Sequence, residues 1–177
     1  MILKKKTNAR GLTLLEIIVY VAIFGIIAVI IANFLIQVVT AYAISRSEQE
    51  VLSNGRLLLE TVSKSISEAE AIYTPTSVFN SDTGQLSLIT KTDAQPEHQT
   101  AYADYWIDTG VFRMRKEGGA DQSISSASVR IARFRLERIS QGLGRDAVRI
   151  TLEVDYAHPR YPASITLTHT VALRGNY

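Results

Sequence analysis

Glu16 is the side chain in this sequence most in need of a chemical partner. It stands at the mouth of a run in which every residue from Ile17 to Ala32 is aliphatic, aromatic or Gly. A charged side chain at the centre of an inserted helix costs roughly 2.5 to 3.5 kcal/mol. One partner is local. Thr13-x-x-Glu16 has the spacing of a capping box, in which the Thr hydroxyl and the Glu carboxylate satisfy free amides at a helix start. This predicts a helix that begins near Thr13 and a carboxylate held close to the headgroups.

Elsewhere the residues capable of catalysis or metal binding are scattered. His98, His158 and His169 occur singly, without His-x-x-x-His or His-Glu-x-x-His spacing. His169 interrupts an apolar strand pattern and reads as a hydrogen-bonded boundary residue rather than a ligand. Asp104, Asp108, Glu117 and Asp121 could surround a Ca²⁺ in loops, but they lack the order of an EF-hand. Gly142-Leu143-Gly144 is followed by neither a third Gly nor a helix, so a phosphate cradle does not fit. No Ser, His and acid arrangement stands out. The expectation is a protein that is not an enzyme and has no cofactor and no metal.

Arginine supplies the other chemically suggestive group. Arg113, Arg115, Arg130, Arg133, Arg135, Arg138, Arg145 and Arg149 give residues 113 to 149 a local basic bias. It reads either as a solvated strand face balanced by Glu117, Glu137, Asp146 and Glu153, or as a patch that touches DNA phosphates. Overall charge favours the first. The chain has 19 Lys and Arg against 17 Asp and Glu, a formal charge of +2, but four of the basic residues precede Leu12 and all the acids follow it. Beyond the leader the balance is therefore −2, and the aromatic residues are not regularly interleaved with the arginines as a stacking surface requires.

The elements that position these groups follow from pattern. Lys4, Lys5, Lys6 and Arg10 form a basic leader, and the run from Ile17 to Ile36 contains a single strongly polar residue, Asn33. Twenty helical residues rise about 30 Å, enough to cross a bilayer core. A cleaved secretory signal fits poorly, because the run is long and exits through Asn33-Phe34-Leu35-Ile36-Gln37 without a small-residue cleavage site. A plain anchor explains the basic flank and places the N-terminus in the cytoplasm. It leaves Gly11 and Glu16 unexplained.

No Pro occurs before Pro75, so the helix is expected to continue to Tyr73, about 90 Å from Leu12. Val51, Leu52, Leu58, Leu59, Val62, Ile66, Ala69 and Tyr73 share one face, with Gly55 in the stripe. Glu50, Ser53, Glu60, Lys64 and Glu68 lie mostly opposite, Glu60 and Lys64 form an i,i+4 pair, and Leu57 points to the polar side.

Beyond Pro75 the period becomes 2. Leu86 and Leu88 mark a short strand, Lys91 to Gln99 a polar loop, and Asp108-Thr109-Gly110 a hairpin turn between Tyr102–Ile107 and Val111–Arg115. Lys116 to Ser126 reads as an exposed loop. The phase slip between Val129, Ile131 and Phe134, Leu136 predicts a β-bulge near Ala132. Two clean alternations follow, Val148 to Tyr156 and Ile165 to Leu173. The expected fold class is α+β, a long helix packed on a mainly antiparallel sheet.

Gly11-Leu12-Thr13-Leu14-Leu15-Glu16, after the basic leader and before the apolar span, resembles the processing and assembly signal of type IV pilins and pseudopilins. The resemblance implies cleavage by a prepilin peptidase between Gly11 and Leu12, N-methylation of Leu12, and an assembly role for Glu16. It divides the chain into a leader (1–11), a transmembrane and assembly helix (12–36), an amphipathic half helix (37–74) and a β-rich extracytoplasmic domain (75–177). Physically, cleavage would create an amine at Leu12, one turn from Glu16. In a helix bundle away from lipid, a neighbour's Leu12 amine could pair with the Glu16 carboxylate and set axial register.

Two features depart from the family pattern. Leu12 stands where Phe is usual, and the span lacks a helix-weakening Pro, leaving Gly25 as its weak point. The absence of Cys departs from many major pilins and favours a minor pseudopilin, while Glu16 argues against the extreme tip subunit. The implied partners are the peptidase, other pilins or pseudopilins and the cytoplasmic membrane. A non-polymerising membrane-anchored binding module and a DNA-contacting pilus component are the competing classes.

Overall fold

The computed structural model describes residues 13–91, 100–117, 119–141 and 145–173. Its first element is α1 (Leu14–Glu68), preceded by Thr13 as predicted. Eight strands follow: β1 (Ala71–Ile72), β2 (Gln85–Lys91), β3 (Thr100–Asp108), β4 (Val111–Lys116), β5 (Gln122–Ser123), β6 (Val129–Gln141), β7 (Arg145–Tyr156) and β8 (Ser164–Ala172). The chain divides into two compact units, Met1–Tyr42 and Ala43–Tyr177.

In the first unit, every side chain from Ile17 to Val39 is exposed. This part of α1 is long and apolar enough to cross a membrane. Its composition explains the lack of a polar face: a helix that is apolar all round has lipid or other apolar helices as its natural surroundings.

The second unit is the α+β body. Its strands form two antiparallel sheets, one of order β1-β2-β3-β4-β5 and one of order β6-β7-β8, rather than the one expected. The turn at Asn80 to Gly84 joins them, because the Asn80 and Gly84 amides donate to Leu136 O and Phe134 O, each at 2.8 Å. A Cβ at Gly84 would lie 2.6 Å from Phe134 O. Glycine permits that backbone approach.

Val51, Leu58, Val62 and Ile66 of α1 join Leu86, Leu88, Tyr105 and Phe112 of the first sheet and Phe134, Leu136, Ile150 and Leu152 of the second in one core. Gly55 is buried in the helix stripe, where a Cβ would stand 2.9 Å from Leu167 Cδ1. Leu57 is 53% exposed on the opposite side, as its position in the pattern requires.

Several boundaries differ from expectation. The helix ends at Glu68, before Tyr73, because the chain leaves to pair with the sheet: Glu70 N donates to Ile89 O and Tyr73 N to Ser87 O, each at 2.8 Å. Sheet hydrogen bonds thus claim the amides that another helical turn would use. The presumed loop from Lys116 to Ser126 contains β5, held against β4 through the Ile124 N to Phe112 O bond of 2.9 Å. Lys64 faces Glu68 at 4.0 Å instead of Glu60. Glu50, assigned to the solvated face, is half-buried, and its carboxylate accepts from Ser126 Oγ at 3.4 Å. The expected bulge lies between Ile131 and Arg133.

Candidate functional site

The head of α1 is built by Thr13. Its backbone carbonyl accepts from Glu16 N at 3.1 Å and Ile17 N at 3.2 Å, and its Oγ1 accepts from Glu16 N at 3.3 Å. Thr13 therefore performs the N-cap half of the capping box. The Glu16 carboxylate does not complete the reciprocal half. It turns along the helix instead, where Oε1 accepts the Tyr20 hydroxyl at 3.0 Å.

Tyr20 is the residue that the sequence reading missed at this site. Its i,i+4 spacing from Glu16 was the available signal. Helical side chains lean toward the N-terminus, so a Tyr one turn deeper in the span carries its hydroxyl back toward the carboxylate. Gly11 and Leu12 lie outside the described residues, as do the basic leader, His98 and Gly142-Leu143-Gly144.

Seven of the eight arginines in the series resolve into ion pairs, and the Arg145 side chain lies outside the described residues. Arg113 meets Asp108 at 2.8 Å, Arg115 meets Asp121 at 3.1 Å, and Arg130 meets Asp155 at 3.3 Å. Arg133 lies between Asp82 and Glu153, Arg135 between Asp82 and Glu137, and Arg138 and Arg149 meet Asp146 and Glu137. The cause is register. Arg133 is opposite Glu153 and Glu137 is opposite Arg149 on β6 and β7, so alternating charges face one another across the strands. The short contact to Asp146, 2.6 Å, raises the Arg138 pKa through its hydrogen bond and its charge.

Three of the four acids considered for Ca²⁺ have partners of their own. Asp108 and Asp121 belong to Arg113 and Arg115, and Glu117 Oε2 accepts from Tyr102 N at 2.9 Å. Among the described residues there is no group of three or more His, Cys, Asp or Glu placed to hold a metal. His158 and His169 are both exposed. His169, on the β8 residue paired with Ile150, makes no hydrogen bond within the described residues, in contrast to the bonded boundary position expected of it.

Asp104 and Glu117 remain together, in a cleft of about 400 Å³ on the outer face of the first sheet. Tyr73 and Tyr102 wall it, their ring centroids 5.1 Å apart and their planes at 67°.

No curated protein and no solved structure matches the chain. Residues 6–32 match the family model described as the prokaryotic N-terminal methylation motif, a stretch that holds Gly11, Leu12, Thr13, Glu16 and Tyr20. The chain thus carries a type IV pilin-like signal at the head of a long apolar helix.

Proposed function

We propose that this protein is a minor pilin or pseudopilin, a structural subunit cut after Gly11, methylated on Leu12 and drawn into a filament through residues 12–36. The observation that carries the proposal is a coincidence of position: the methylation motif spans residues 6–32, and from Leu14 onward that stretch is the head of α1, apolar and exposed beyond Glu16. Prepilin peptidase is the processing partner implied by such a motif, and other pilins or pseudopilins are the assembly partners. The precursor would sit in the cytoplasmic membrane with its N-terminus in the cytoplasm, since cytoplasmic flanks carry the excess of Lys and Arg.

In the filament the Glu16 carboxylate would pair with the Leu12 amine of a neighbour. Breaking a buried ion pair by removing one member is costly because the other charge is left without compensation, so the pairing would fix axial register strongly. A structural role also suits a β-rich body in which seven arginines of β4, β6 and β7 are engaged by carboxylates. The same ladder weighs against a DNA-contacting role, because phosphates would have to displace Asp82, Glu137, Asp146, Glu153 and Asp155.

N-terminal sequencing and mass analysis of protein from its native membrane test the proposal. A chain starting at methylated Leu12 is the expected result. An intact Met1 start would leave a simple membrane-anchored binding module as the better description.

A further inference from the structure

The cleft on the outer face of the first sheet has a composition that none of the foregoing explains. Strand alternation puts Tyr102, Asp104 and Trp106 of β3 on one face, with Arg113 and Arg115 of β4 beside them. The buried residues Ala103, Tyr105 and Phe112 point the other way, into the core. One wall comes from the chain leaving α1. Tyr73 is fixed by its amide bond to Ser87 O and by Ser77, whose Oγ donates to Tyr73 O at 2.8 Å and accepts from Ser87 N at 3.0 Å. The walls are therefore built before any ligand arrives.

Charge is unevenly distributed within the cleft. Asp104 is paired in register with Arg115 and would be expected to neutralise it. Arg115 instead reaches Asp121 at 3.1 Å and lies over the Trp106 ring at 5.2 Å. The Asp104 carboxylate, on a half-buried residue, makes no hydrogen bond or ion pair with any described residue. Glu117 has one oxygen committed to the Tyr102 amide and the other uncommitted. With Arg115 balanced by Asp121, the cleft presents two carboxylates beside the edge-packed pair of tyrosine rings.

We infer that this cleft binds the side-chain cation of a lysine or arginine carried by a partner polypeptide. Carboxylates supply the charge-assisted hydrogen bonds, and Tyr73 and Tyr102 offer ring faces within reach of a cation. Their steep mutual angle forms a notch rather than the flat platform on which a sugar ring would stack. The apolar stem of Lys or Arg suits the tyrosine walls while its head meets Asp104 and Glu117. Charge complementarity selects this occupant, and the inference is independent of whether the chain enters a filament.

The test uses the full chain in detergent micelles, with backbone amide shifts followed by NMR. The probes are the blocked tripeptides Gly-Lys-Gly and Gly-Arg-Gly, the uncharged Gly-norleucine-Gly, which keeps the four-carbon stem of Lys without its ammonium, and cellobiose. The basic peptides should shift the amides around Tyr73, Tyr102 and Asp104, saturably and less strongly at high salt, whereas norleucine and cellobiose should leave them in place. Asp104→Asn should weaken the basic peptides by at least about tenfold while preserving the remaining spectrum, as expected for loss of a hydrogen bond to a charged group. Equal binding of the norleucine peptide, preferential binding of cellobiose, no saturable shift with any probe, or an undiminished response in Asp104→Asn would each overturn the inference.

Discussion

Tyr20 lies one helical turn beyond Glu16, and its hydroxyl donates to Glu16 Oε1 at 3.0 Å. The carboxylate at the mouth of the apolar helix is thus satisfied within its own chain before a neighbour is present. This bond also directs the carboxylate along the helix, away from the Thr13 amide that a complete capping box would engage. Assembly through a neighbour's amine would then begin from an ordered side chain rather than one searching the headgroup region.

The two residues should behave differently when changed. Glu16→Ala removes the charge and should leave membrane insertion intact while abolishing incorporation into filaments. Tyr20→Phe leaves the carboxylate but removes its donor; a hydrogen bond to a charged group contributes about 1.5 kcal/mol, so incorporation should fall by roughly tenfold. Tyr20→Gln, which keeps a donor at the same spacing, should recover part of the loss. Comparing membrane and sheared-filament fractions by immunoblot measures all three, and normal incorporation of Glu16→Ala would remove the pairing model.

Gly55 gives a size-dependent prediction. A Cβ there meets Leu167 Cδ1 at 2.9 Å, Val154 Cγ2 at 3.6 Å and Ile165 Cγ2 at 3.8 Å. The closest atom is the end of a flexible side chain on β8, a strand at the margin of its sheet, so Ala can be admitted by a small rotation. Helix propensity favours Ala over Gly by about 1 kcal/mol, which should offset that displacement and leave Gly55→Ala close to wild type. Gly55→Leu has no such room and should cost about 1 to 3 kcal/mol by overpacking. Denaturant unfolding of the two variants separates these outcomes.

The hairpin turn predicts a stabilising change. Thr109 has φ 51° and Gly110 φ 82°, both positive, as a type I′ turn requires. Glycine suits its position, and a Cβ there would also strike Arg130 Cγ at 2.6 Å. Thr109 is a β-branched residue held in a left-handed conformation at a cost of order 1 kcal/mol. Thr109→Asn, matching the preferred residue pair, should raise Tm by about 2 to 4 °C, whereas Gly110→Ala should lower it. Calorimetry of both variants checks the pair.

What could be foreseen from sequence was whatever depended on period and local chemistry. The helix start at Thr13, the bulge at Ala132, the Thr109-Gly110 turn and the buried stripe from Val51 to Ile66 each follow from steric or hydrophobic rules acting over a few residues. The helix end was misplaced because Glu70 and Tyr73 bond to β2, a long-range competition that local helix propensity does not encode. The second sheet escaped for the same reason, since alternation identifies a strand's inner face without identifying its neighbour. At the candidate site, Thr13 was legible through its capping spacing, whereas the reciprocal Glu16 half expected with it is replaced by the Tyr20 bond. Tyr20 is hidden in a run defined by its aliphatic, aromatic and Gly residues, a pattern in which the polar tip of an aromatic ring carries no weight.

Tyr105 ties β3 to α1 and makes the body sensitive to alkaline pH. Its hydroxyl shares a hydrogen bond of 2.6 Å with Ser65 Oγ, which also lies 3.0 Å from Thr61 O. Burial raises the Tyr105 pKa above its ordinary 10.0, the Ser65 bond opposes the rise, and the nearby Glu68 charge adds to it. A raised pKa means that the folded state favours the protonated phenol. The associated stability is fully present below the unfolded-state pKa of 10.0 and disappears as pH rises through the higher folded value. Thermal melts should therefore fall more steeply above about pH 10, by up to about 1.4 kcal/mol per pH unit for this one proton. Tyr105→Phe should cost about 1 kcal/mol at neutral pH by losing the Ser65 bond, yet flatten that alkaline limb. Melts from pH 8 to 11, read beside the phenolate absorbance, test both effects, and an unchanged alkaline slope in Tyr105→Phe would assign the pH dependence to other groups.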